Sequence, residues 1–298
     1  MRALLAAALG CTALAFAHPA AGQEEPVDQE IVVTGDRDVD RRVREFVGAL
    51  TPAGSASAQL GRFETPVCPT ALGLAPADKA AVEERLRTVA KAAGLEVAPQ
   101  GCEVNALLMV AEDDKRSFIE ELARTQTRYL GNLTKTQVRD LARSPGPAAA
   151  WQFTWMVSAR GVPVMNDGSG GQLGWFNRTT EPPSRISAPV RPVFQATALV
   201  VERRALAGLS TTQLADYAAM RLFARTEPDR VKGSKAPTIV TILDASAEAE
   251  VPLSLTAWDL GLLRGLYSAP NNVYAGAQRS EMARQIGRTY MEAQREAE

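Results

Sequence analysis

The chain has 298 residues, with 33 Lys and Arg against 34 Asp and Glu. A formal net charge of -1 leaves no electrostatic case for nucleic acid or for an anionic membrane surface as partner. The single histidine, His18, falls in a leader-like segment, so the rest of the chain has no Ser-His-Asp triad, no Cys-His pair and no histidine-bound zinc.

Residues 1–22, MRALLAAALGCTALAFAHPAAG, carry one Arg, an apolar run and then small residues, the three-part build of a secretory signal. Ala15-Phe16-Ala17 and Ala20-Ala21-Gly22 both fit signal peptidase; the second leaves Gln23 as the first mature residue. Cys11 raises lipidation, but the apolar run before it is short and Ala8 is a poor match three residues upstream. No later stretch is long and apolar enough to span a bilayer, so a periplasmic or secreted protein is expected.

Residues 23–45 are acidic and then mixed in charge, and read as a disordered lead-in to a single α+β domain at 46–298. Within the lead-in, Gln29 to Gly35 (QEIVVTG) resembles the start of the plug of TonB-dependent receptors, over a few residues only. Asp36, Asp38 and Asp40 have the opening spacing of an EF-hand loop, but Arg41 and Val47 occupy the glycine and glutamate positions, which excludes one.

A strand is predicted within 63–74, then a helix from Pro76 to Ala93 burying Val82, Leu86, Val89 and Ala93, with Gly94 as its stop. A second strand at Val104 to Val110 makes this a β-α-β unit with a parallel pair. Cys68 and Cys102, the only cysteines beyond the leader, read first as a disulfide tying the first strand to the start of the second. A redox or metal-binding pair is the alternative, without the close CxxC spacing. Helices follow at Asp113 to Arg124 and Thr134 to Arg143, and Ser144-Pro145-Gly146-Pro147 breaks the chain.

Residues 151–177 alternate aromatic and β-branched runs with Gly and Asn-Asp-Gly turn signals, which predicts a hairpin or meander. Trp151, Trp155 and Trp175 there are core contacts or a binding surface. The glycines of 166–174 are not a phosphate loop, since no Gly-Lys-Ser or Gly-Lys-Thr follows. After a Pro-, Ser- and Arg-rich loop, Phe194 to Val201 is apolar throughout, as in a strand buried on both faces. Gly208 ends it, Ser210 or Thr211 caps the next helix, and 211–225 turns Ala215, Ala218, Ala219, Leu222 and Phe223 to the core.

The opposite flank of that helix carries Gln213, Asp216, Tyr217 and Met220 at i, i+3, i+4 and i+7, the candidate binding stripe. Gln213, Leu214 and Tyr217 stand where a zincin metallopeptidase has its two histidines and glutamate, so no metal ligand, cofactor or catalytic residue is assigned. The plain reading of Asp216 and Tyr217 is hydrogen bonding at the helix surface. Pro237 to Leu243 is read as a further strand. Residues 254–267 form a helix with Thr256 and Asp259 as capping box and Gly261 and Gly265 allowing close packing, and Ser280 to about Arg295 a last helix with Met282, Ile286 and Tyr290 inward.

Cys102 to Asn105 (CEVN), Gln213 to Met220 (QLADYAAM) and Leu255 to Tyr267 (LTAWDLGLLRGLY) resemble stretches of uncharacterised secreted proteins of sphingomonad-type bacteria. More distantly, residues 60–295 resemble a proteobacterial secreted family of unknown function with a zincin-like layout. The resemblance implies an α+β scaffold, a mixed sheet with packed helices and the 211–225 helix in the active-helix position. It carries over no catalytic residue.

Two functions are therefore weighed. The first is a non-catalytic envelope protein that binds a peptide or another protein beside the stripe. The second is a histidine-independent hydrolase of cell-envelope glycan or peptide, built on two carboxylates drawn from acids such as Asp167, Glu181, Asp216 and Asp259.

Overall fold

The computed structural model describes residues 34–53, 59–164, 184–246 and 249–297. The predicted signal, most of QEIVVTG, Asp167, Glu181, Trp175 and the glycine-rich 166–174 lie outside these residues. The architecture is α+β, with one mixed sheet covered by helices on both faces.

The strands are β1 (Arg62–Phe63), β2 (Pro69–Leu72), β3 (Ala106–Ala111), β4 (Ala148–Ser158) and β5 (Val190–Glu202). The helices are α1 (Thr34–Leu50), α2 (Pro76–Ala92), α3 (Lys115–Thr125), α4 (Lys135–Ala142), α5 (Thr211–Leu222), α6 (Ala257–Ser268) and α7 (Ala275–Ala297). β5 is the spine. One of its edges pairs in parallel with β1 at Val193 and Phe194, then with β3 from Thr197 to Glu202; β4 runs antiparallel along the other edge. β2 lies outside β3, parallel to it.

The apolar runs of β3 and β5 follow from covered faces. Leu107, Met109, Ala198 and Val200 pack towards α3 and α4, whereas Ala106, Leu108, Leu199 and Val201 pack towards α2, α5 and α6. The β2-α2-β3 unit matches its sequence signature, with Val82, Leu86, Val89 and Ala93 all buried. Cys68 and Cys102 are disulfide-bonded across 34 residues, at the entries to β2 and β3. Asn105 reinforces that junction: its Oδ1 accepts the Cys68 N–H at 2.7 Å and its Nδ2 donates to Pro66 O at 3.0 Å.

Two segments differ from expectation. Residues 34–45, expected to be disordered, form most of α1, because Val43, Phe46, Val47 and Leu50 recur on one face and are buried there. The charges that read as disorder occupy its other face, where Arg41 pairs with Asp38 at 3.0 Å. The β-branched run predicted as a strand at 237–243 is a 3-10 helix over Ile239–Asp244. Its first N–H groups go to side chains instead of a neighbouring strand: Ile239 N donates to Asp259 Oδ2 and Val240 N to Thr238 Oγ1.

Against α7, α6 packs through Gly261 and Gly265. A Cβ on Gly265 would lie 2.2 Å from Met282 Cα, and one on Gly261 2.5 Å from Ile286 Cα. Helix propensity alone favours Gly265→Ala by about 1 kcal/mol, but the obstructing atoms are backbone, so relief requires moving α7. Overpacking costs about 1–3 kcal/mol and wins. Gly265→Ala should lower the denaturation midpoint; a stabilised variant would refute the close contact.

Candidate functional site

The four stripe residues share a face of α5, as predicted, but that face is not a groove. Every residue from Gln213 to Leu222 is buried. Periodicity separates core from solvent only for a helix with one wet side, and α5 is enclosed by the sheet, α2 and the segments around 239–255.

Each stripe residue has an internal task. Ser210 caps α5 by accepting the Gln213 N–H at 3.1 Å, while Gln213 Oε1 accepts Ser210 N and its Nε2 donates to Pro252 O at 2.9 Å. Asp216, fully buried, accepts a fork from Arg85, Nε to Oδ1 at 2.7 Å and Nη2 to Oδ2 at 2.9 Å, and also the Leu255 N–H at 2.6 Å. That bonding to Asp216 raises the Arg85 pKa above its ordinary value. Met220 and Tyr217 belong to the core, and burial pushes the Tyr217 phenol up. The stripe therefore fastens α5 to α2 and to residues 252–255.

The open space lies elsewhere, beside β4. A cleft of about 760 Å³ has as its floor Ala150, Gln152 and Thr154, alternate residues of β4, with Pro192 and Phe194 of β5. A bulge between Phe153 and Thr154 keeps Thr154 opposite Phe194. One lip is α4 with the turn before it, carrying Asn132, Gln137 and Asp140. The other is the segment after α5 together with α6 and α7, carrying Arg225, Glu227, Leu262 and Met282. The two lips stand on opposite faces of the sheet, so the cleft wraps the outer edge of β4. Among the described residues, nothing pairs with that edge from Ala148 to Trp155; only beyond it does Val164 N donate to Met156 O.

The polar groups of the cleft fall into two sets. Arg279 is spent on holding the chain at Thr51 Oγ1 and Pro52 O, at 2.9 and 2.7 Å, and Glu227 is paired with Arg230 at 3.0 Å. Arg225 and Asp140 have no hydrogen-bond or ion-pair partner among the described residues, nor does the buried Oε1 of Gln59. Arg225 and Asp140 thus leave a cation and an anion beside a strand edge that is unpaired among the described residues.

Of the acids considered for a two-carboxylate reaction, Asp216 is committed as described, and Asp259 is fully buried, accepting Thr238 Oγ1 at 2.6 Å and Ile239 N at 2.9 Å. Neither lines the cleft. Among the described residues, no group of three or more His, Cys, Asp or Glu is placed to hold a metal ion. Of the tryptophans, Trp151 is buried with Nε1 donating to Tyr129 O at 2.8 Å, and Trp155 is 57% exposed.

Sequence reasoning missed Gln152, Thr154, Asp140 and Arg225. Small and polar residues at 150, 152 and 154 alternate with Trp151 and Phe153, a pattern that marks one face of β4 as not fully covered. No family model matches the chain, and no curated protein or solved structure does.

Proposed function

We propose that the protein is a secreted or periplasmic binder of an extended peptide or protein segment, without catalytic activity, on a degenerate zincin-like scaffold. The observation that carries this is the outer edge of β4 within the cleft, unpaired among the described residues. An exposed edge offers a row of backbone donors and acceptors that another extended chain satisfies, and such edges are otherwise blunted or covered. Main-chain pairing would supply affinity. Ala150, Gln152 and Thr154 would select small or polar side chains, with Arg225 and Asp140 discriminating charge at the lips. The disulfide suits an oxidising compartment, and among the described residues no helix is long and apolar enough to cross a membrane.

Panning a random peptide library on the purified protein should enrich sequences that slow amide hydrogen exchange at 148–155. Gln152→Trp, which places an indole on the cleft floor beside the β4 edge, should abolish that protection while leaving the melting temperature within a few degrees. Protection confined to other elements, or no enrichment at all, would remove the reading.

A further inference from the structure

A second, smaller pocket of about 160 Å³ lies on another part of the molecule, away from β4. Arg42, Glu45, Phe46 and Ala49, at i, i+3, i+4 and i+7 of α1, form one wall, and the turn around Arg230, Ser234 and Lys235 forms the other. Trp258, in the first turn of α6, also lines it. Arg42 Nη2 donates to Lys235 O at 3.1 Å and joins the two walls, with its guanidinium 5.8 Å from the Trp258 ring centroid.

Cations outnumber anions here. Arg42, Arg230 and Lys235 line the pocket with one anion, Glu45, which itself lies 3.9 Å from Arg41, and Arg230 is paired at 3.0 Å with Glu227 outside the lining. The Lys235 ammonium has no partner among the described residues. Arg230 donates to Thr51 O and Glu227, and each guanidinium, with five N–H groups, keeps donors to spare. Trp258 is 3% exposed and its Nε1 is sealed from the pocket, so the indole contributes a ring wall and no donor to a ligand.

We infer that this pocket binds a phosphate group, whose several anionic oxygens match the three cations around it. The volume equals that of about five waters, which suits one such group and not a longer chain. A carboxylate would be satisfied by one arginine fork and would leave the other cations unused. Free phosphate and the head of a phosphate monoester share this chemistry.

Isothermal titration of the purified protein with inorganic phosphate, and in a second arm with glycerol 3-phosphate, tests the site. One site is expected, weakened about tenfold or more by Lys235→Ala. Lys91→Ala, on the surface of α2, should change nothing. Tighter binding of the monoester identifies an esterified phosphate as the ligand; equal binding identifies the free ion. Absence of binding of both at millimolar concentration overturns the inference. So does unchanged affinity in Lys235→Ala, whose exposed side chain can be removed without threatening the fold.

Discussion

Replacing Cys68 and Cys102 together by alanine should lower the unfolding free energy by about 4 kcal/mol, the chain-entropy value for a bridge across 34 residues. The loss should act mainly through the unfolded chain, because the native junction has other ties. Val67 N donates to Glu96 O, Ala98 N to Val67 O, and Asn105 holds both Cys68 N and Pro66 O. The folded register of β2 against β3 should therefore survive. A freed unfolded state exposes more surface, so the urea m-value should rise as the midpoint falls. A variant with an unchanged midpoint would show that the bridge contributes nothing beyond those ties.

Asp259 should make the protein less stable as pH rises from about 4 to about 6. Its carboxylate accepts Thr238 Oγ1, Ile239 N, Thr256 N and Thr256 Oγ1, which favours the charged form, but complete burial outweighs them and pushes the pKa up to about 6. An unfolded aspartate titrates near 3.9. Within that window the folded state holds the proton and the unfolded state does not, so the contribution is fully present below about pH 4 and gone above about pH 6. Two units correspond to roughly 3 kcal/mol. Urea unfolding of wild type and Asp259→Asn across pH 4–7 isolates this contribution, since the amide does not titrate. Curves that stay parallel through the window would refute it.

The order of elements was legible because local signals and global packing agree along most of the chain. The Thr256 and Asp259 capping box, the valine and leucine spacing of α2 and the apolar run of β5 each need only neighbouring residues to be interpreted. The misreadings share one cause. At α1, at 239–244 and along the α5 stripe, what decides the structure is a partner distant in sequence: α7 for α1, Asp259 for Ile239, and Arg85 for Asp216. Polar residues on a helix flank read as solvent-facing until the partner that buries them is known. The β4 cleft was hidden for the complementary reason, since the openness of an edge depends on what fails to reach it.

The stretch leading into β1 is gripped from the far end of the chain. Leu60 N donates to Gln278 Oε1 at 2.7 Å and Gln278 Nε2 returns a bond to Leu60 O, while Gln59 reaches Val273 O and Arg62 reaches the carbonyls of Leu266 and Ala269. Sequence separations above 200 residues make these loops costly to close early. A nascent chain lacking α6 and α7 keeps only the two-residue pairing of β1 with β5, so the bonds that fix this stretch wait for those helices to emerge. Seating of β1 is then a late event, and fragments truncated before residue 257 should stay protease-sensitive around β1.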